Sequence, residues 1–237
     1  MNTFLGIDLG WYGKPSGLAS IRLEGSTLRL ASVTRLESAH EILAWVQAEA
    51  RGSNSVAAVD APLVIPNATG TRLGERELNR DFRRFHAGCH AANLGRPFAP
   101  YVTAFSRRLE AMGFRHGTSI SPRASGRYQI EVHPHAATIQ LFGLNRTVKY
   151  KRGRRAARSL ELERLRSLMQ THLPNLNPAF SPALPELPLT GPLKPAEDQI
   201  DAVLCAYIAA HWWFWAHARN RVYGTAAEGY IVVPDPR

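Results

Sequence analysis

The chain has 237 residues, 45% of them hydrophobic and 20% charged, a balance that supports a folded core and excludes wholesale disorder. Lys and Arg number 29 against 19 acids, a formal charge of +10. That surplus favours a polyanionic partner such as DNA or RNA, with a basic surface kept for solubility as the plainer alternative. The two cysteines, Cys89 and Cys205, are too few for a disulfide framework and suit a reducing cytoplasm.

Phe4 to Asp8 is a short apolar run ending in Asp-Leu-Gly, a strand that feeds a turn, with no basic and apolar leader pattern of a secretory signal. Gly17 to Leu23 and Thr27 to Arg35 read as two more strands joined through Gly25-Ser26, so the chain opens on an antiparallel meander. Ala39 to Arg51 carries Ile42, Leu43, Val46 and Ala50 at helical spacing, stopped by Gly52-Ser53-Asn54. Ser55 to Asp60 is a continuously apolar strand, suited to burial on both faces, that again ends in a carboxylate.

Thr71 to Asn93 is expected to be helical, and the Gly-, Pro- and Arg-rich stretch around it (about 66–126) to be an insertion over one sheet edge. Tyr128 to Val132 is a further strand, followed by a helix from Ala136 to Leu144 closed by Gly143 or Asn145. A basic block, 149–158, precedes a helix at 159–172. Seven prolines between Pro174 and Pro195 exclude regular structure there. Glu197 to Ala218 is the last long helix. Its apolar run is interrupted by Asp201, His211 and His217, so a buried amphipathic helix is expected and no membrane span. Tyr230 to Pro234 reads as an edge strand. With no repeat or low-complexity tract, the expected architecture is a single α/β domain over 1–237. It comprises an antiparallel meander, then parallel strands, in a mixed sheet flanked by helices, with the insertion at 66–126 and a basic, proline-rich segment at 149–195.

Three strands end in or beside a carboxylate: Asp8, Asp60 and Glu131. Ligands of open α/β sheets bind outside the carboxyl ends of the strands. Asp198 and Asp201 lie three apart at the start of the last helix, bordering its apolar face of Ile200, Val203, Leu204, Tyr207 and Ile208. Glu197 is read as an acid complementing the helix dipole. Carboxylates gathered in one place repel unless cations neutralise them, and hard oxygen donors suit Mg²⁺ or Mn²⁺. Two such ions about 4 Å apart can activate water and stabilise the leaving oxygen in phosphodiester hydrolysis.

Basic residues to receive the phosphates form two blocks: Lys149, Lys151, Arg152, Arg154, Arg155 and Arg158, and Arg72, Arg76, Arg80, Arg83 and Arg84. A solvated surface is the alternative for each block. Tyr150 is placed to stack on a base. His133, just after Glu131, is a candidate proton shuttle, with a strand-end His bonded to backbone as its plainer role. His86, Cys89 and His90 lie close together, but no second Cys/His pair stands at zinc spacing. The chain has no Gly-x-Ser-x-Gly elbow, Walker A loop or dinucleotide fingerprint.

Gly6-Ile-Asp8, Val59-Asp60-Ala-Pro62, Glu131-Val-His-Pro134, Asp198-Gln-Ile-Asp201-Ala202 and Glu228-Gly-Tyr-Ile-Val-Val-Pro234 occur in an order that resembles the domain of unknown function 429 family over nearly the full length. The family is described as predicted nucleases. The resemblance implies an RNase H-like fold and a divalent-metal site at Asp8, Asp60 and Asp201, with Glu131 or Asp198 as further ligands. The Asp-x-x-Asp of the last helix is also similar to that of Holliday-junction resolvases. Val-His-Pro stands where an aromatic often follows the Glu-Val pair, so no family role passes to His133. Two other functions remain open. Gly-Ile-Asp-Leu-Gly resembles the first phosphate motif of the actin, sugar-kinase and chaperone ATPases. A non-catalytic nucleic-acid-binding module would use the basic surplus alone.

Overall fold

Side chains alternate between two buried faces along the first strand, and the layers of the molecule follow from that alternation. In the computed structural model, which describes residues 2–50, 52 and 54–236, β1 (Asn2–Asp8) sends Phe4 into one hydrophobic cluster and Leu5 and Ile7 into another. β1 pairs antiparallel with β2 (Ser16–Glu24), which pairs antiparallel with β3 (Thr27–Leu36). α1 (Ala39–Glu49) opens on a capping box in which Ser38 Oγ accepts from the Glu41 N–H and the Glu41 carboxylate accepts from the Ser38 N–H. The helix end expected at Arg51, and Ser53 after it, lie outside the described residues.

β4 (Asn54–Val59) returns parallel to β1 on the side away from β2. Then come α2 (Leu73–Phe82), α3 (Ala99–Ala111) and the short β5 (Arg115–His116). β6 (Arg127–Glu131) lies parallel to both β4 and β5. The six-stranded sheet has the order β3-β2-β1-β4-β6-β5, the mixed sheet expected from the sequence. α4 (Pro134–Phe142) ends at Gly143, whose left-handed φ of 62° closes the helix as expected. α5 (Arg155–His172) and α6 (Lys194–Trp215) follow, and a hairpin of β7 (Asn220–Thr225) and β8 (Gly229–Pro234) ends the fold.

α6 lies on the sheet face of Phe4, Ala19, Val56, Ala58 and Ile130, together with side chains of α4 and α5. α1 and α3 cover the opposite face, placing Ile42, Val46, Val102, Phe105 and Leu109 against Leu5, Ile7, Leu18 and Val59. Two glycines let α6 sit directly on the strands. Any Cβ at Gly6 would collide with the backbone of Ala202 and Ala206, and one at Gly17 with that of Asp198.

Several elements differ from their expected bounds for local reasons. The helix expected over 71–93 stops at Phe82. There Asn79 takes the Cys89 N–H at 2.9 Å and donates to the Cys89 carbonyl at 3.1 Å, folding the chain back on itself. The segment expected as an edge insertion contains α3, which covers a sheet face. Its apolar positions Val102, Phe105 and Leu109 hold helical spacing but sit between Gly-, Pro- and Arg-rich flanks. α5 begins at Arg155 instead of Ser159, and the strand read at Tyr230–Pro234 starts at Gly229, pairs with β7 in a two-stranded sheet and is buried. Among the described residues no helix is long and apolar enough to cross a membrane.

Gly6→Ala should lower stability by about 3 kcal/mol or more, at the upper end of the overpacking range, because the clash is with backbone that has no rotamer to change. Urea unfolding of the variant beside Leu160→Ala, at an exposed position, would check this; equal midpoints would contradict the close approach of α6.

Candidate active site

β1 and β4 run parallel with Gly6 opposite Ala58 and Ile7 opposite Val59. The Asp60 N–H donates to the Ile7 carbonyl at 2.9 Å, so the ladder continues one step past β4. Two-residue periodicity carries Asp8 onto the face of Phe4 and Asp60 onto the face of Val56 and Ala58, the face covered by α6. The Gly6 contact with Ala202 sets the neighbouring Asp201 over the same strand ends. The tyrosine hydroxyl of Tyr150 donates to Asp201 Oδ1 at 2.6 Å, and Lys151 Nζ lies 2.9 Å from Asp201 Oδ2.

These charges act on one another. Burial, then the negative charges of Asp201 and Asp60, hold Asp8 well above the usual carboxylate range against the opposing pull of Lys151 and Lys194. Burial also raises Asp60 to about 6, with Asp201 adding to it and Lys151 and Lys194 opposing. Burial alone would lower Lys151, but Asp201, Tyr150, Asp8 and Asp60 together push it well above the ordinary lysine value. Lys151 therefore stays protonated, with its side chain partly open to the cleft.

The expected carboxylates separate into two groups. The Asp8 and Asp60 carboxylates accept no hydrogen bond and form no ion pair among the described residues, although the Trp11 Nε1–H donates to the Asp60 backbone carbonyl at 3.3 Å. The other three are engaged. Asp201 is held as above. Asp198 pairs with Arg35 Nε at 3.0 Å and with Lys194. Glu131 receives Arg72 Nη2 at 2.6 Å, Arg72 Nη1 at 2.9 Å and the Leu63 N–H at 2.9 Å. The separation of Glu131 has a simple cause. On β6 it stands opposite Val59, one residue out of step with Asp60, and alternation directs it away from the α6 face. Glu197, read as a dipole acid, is buried and paired with Arg158 at 2.9 Å and Lys194 at 3.2 Å.

A cleft of about 640 Å³ opens over this floor, lined by Asp8, Asp60, Trp11, Glu131, His133 and Lys151 among others. The basic block divides around it. Lys149 and Arg152 line the cleft with exposed side chains, and Lys151 belongs to its floor. Arg154 is exposed outside it. Arg155 donates to the Gly191 and Pro188 carbonyls at 2.8 and 2.7 Å, anchoring the proline-rich segment. His133 lines the cleft, lowered to about 4 by burial and then by Lys151, and is uncharged at neutral pH. Cys89, also on the wall, is pushed up to about 12 by burial and stays a thiol.

Two residues named from the sequence take other roles: Arg72, expected to receive a phosphate, is buried against acids, and so is Tyr150. Arg72 lies 59 positions from the Glu131 it binds, and Tyr150, expected to stack on a base, is buried and bonded to Asp201.

The donor chemistry decides how far a metal fits. Among the described residues no group of three or more His, Cys, Asp or Glu side chains is arranged to hold an ion. Asp8 and Asp60 together fit the requirement of Mg²⁺, which takes one or two carboxylates and keeps water and substrate oxygens for the rest. A protein cage of five carboxylates is not available, because Asp198, Asp201 and Glu131 are already neutralised by Arg35, Lys151, Lys194 and Arg72.

A family model described as "Protein of unknown function (DUF429)" matches residues 6–228, and the chain belongs to that family. No curated protein matches it.

Two stability measurements follow. Asp60 titrates higher in the fold, at about 6, than its ordinary 3.8. The folded state therefore gains from its protonation below about pH 4, and that gain disappears as pH rises through 6. With a chelator present, Asp60→Asn should be about 3 kcal/mol more stable than the parent at pH 7.5 and equal to it near pH 4. Arg72→Met should cost about 3–5 kcal/mol at pH 7.5, because it leaves Glu131 and Glu75 buried without their cation. Urea unfolding checks both.

Proposed function

We propose that this DUF429 chain is a divalent-metal-dependent phosphodiester hydrolase acting on nucleic acid, with Asp8 and Asp60 as ligands of Mg²⁺ or Mn²⁺. One observation carries this: two adjacent strand-end carboxylates face a cleft, unpaired among the described residues and raised by burial. A buried carboxylate without a partner is costly, and a bound divalent ion offsets that cost. An ion held there supplies a polarised phosphoryl oxygen and a more acidic water. The meander leading into parallel strands is consistent with an RNase H-like fold.

The remaining residues divide the work. Lys151 stays protonated, balances Asp201, and sets positive charge beside the place where a phosphate meets Asp8 and Asp60. Tyr150 and Lys151 together fix the Asp201 carboxylate, the third acid at the strand ends. Neutral His133 can accept a hydrogen bond from an attacking water, though its lowered pKa makes it a weak base at neutral pH. Lys149 and Arg152 draw phosphates to the cleft mouth. The nucleotide-phosphate alternative is less well supported, since the Gly10 N–H in the turn after Asp8 donates to Ser16 Oγ at 2.9 Å.

With Mn²⁺, Asp8→Asn should cut hydrolysis of bis(p-nitrophenyl) phosphate by more than about 100-fold, beyond the 10–100-fold expected for losing a group behind the ligands. Its circular dichroism should match the parent. Unchanged hydrolysis in the variant would sink the assignment. A parent protein that binds oligonucleotides but hydrolyses neither them nor the small diester would be a binding module.

A further inference from the structure

Charge pairing inside the molecule leaves many surface cations free, and one group of them lies beside the cleft. Arg35, Arg72, Lys151, Arg158 and Lys194 are each spent on a buried carboxylate. Arg83, Arg84, Arg146, Lys149 and Arg152 are exposed and make no ion pair with a described residue. These five come from two separate parts of the chain that the fold joins. The Thr147 N–H donates to the Phe85 carbonyl at 2.9 Å, which sets 83–86 beside 146–149. His86, Lys149 and Arg152 line the cleft, and Arg83, Arg84 and Arg146 lie on the same joined segments just outside its lining.

The turn after Asp8 supplies a second feature. Trp11 lines the cleft, with its ring 4.4 Å from that of Phe98. Tyr12 beside it is 56% exposed and has a left-handed φ of 66°. A bulky residue is strained in that conformation. The strain puts an aromatic ring into solvent, edge-on to Phe98 at 6.1 Å, where it gains little burial.

The floor is well covered. Asp8 is only 8% exposed at the base of a cleft of about 640 Å³, a volume that holds a drug-sized molecule. A paired backbone is held in the fixed shape of a stiff duplex, which limits how far one phosphate can turn into such a recess. An unpaired strand is free of that constraint.

Building on the assignment of Asp8 and Asp60 as the reacting centre, we propose that the cleft takes an unpaired polynucleotide strand. Its phosphates lie along the rim of Arg83, Arg84, Arg146, Lys149 and Arg152, and a base stacks on Tyr12. Stacking on an exposed aromatic tolerates any base, so the preference is for strandedness rather than sequence.

The test is fluorescence anisotropy with the full chain and a labelled 12-nucleotide strand, alone or annealed to its complement, with Ca²⁺ replacing Mn²⁺. The single strand should bind at least about 10-fold tighter than the duplex. The combined Arg84→Ala, Arg146→Ala, Lys149→Ala and Arg152→Ala variant should reduce the slope of log Kd against log salt by about 3, at about 0.7 for each phosphate that is no longer neutralised. Tyr12→Ala should weaken single-strand binding by about 5-fold or more. Equal or tighter duplex binding, or an unchanged salt slope, would overturn the proposal. Strand preference without any hydrolysis would overturn the catalytic assignment alone, and hydrolysis of the small diester without strand preference would overturn this proposal alone.

Discussion

Everything at the candidate site depends on how closely α6 lies on β1 and β2. Gly6 and Gly17 permit that contact, since a methyl group at either position would meet helix backbone. The contact does two things at once. It buries the apolar stripe of α6 against Phe4, Ala19, Val56 and Ala58. It also holds Asp201 where β1 and β4 end, so that three carboxylates meet at a layer boundary and not on open surface. Packing and chemistry are thus set by the same two glycines, and a fold loosened there would lose both.

Collecting acids in a low-dielectric place creates a problem that the molecule meets with cations drawn from distant segments. Lys151 reaches Asp201 from the loop before α5, Arg35 reaches Asp198 from β3, and Arg72 reaches Glu131 from the start of α2. Each pair also ties a peripheral segment to the sheet. Arg72 links Glu131, Glu75 and the Val64 carbonyl, while the Ala92 N–H donates to Glu75. Each pair removes one cation with one acid, so the formal surplus of +10 remains on the rest of the molecule. Some of it, on Lys149 and Arg152, stands at the cleft, where a polyanion would meet it.

Much of this was legible beforehand. The meander, the buried parallel strand ending at Asp60, the cap at Gly143, the buried last helix and the irregular proline-rich segment all follow from periodicity and turn chemistry, which are local. α3 and β7 were hidden because their short apolar spacings sit among Gly, Pro and Arg, residues that mark loops in isolation. Tertiary packing supplied the burial that local propensity did not signal.

The sequence by itself determined that carboxylates stand at strand ends and on the first turns of the last helix, because strand termini and helical spacing are properties of neighbouring residues. Which of those acids share a face is a different kind of fact. Asp8 and Asp60 point the same way because β1 and β4 pair in a register that places both in step. Glu131 points away because β6 pairs one residue out of step with Asp60. A shift of a single residue exchanges the faces of a strand, and register is set only when strands meet across the sheet. Only the tertiary structure, therefore, decided that Asp8 and Asp60 face the cleft unpaired while Glu131, the acid that looked most like their equal, is held by Arg72.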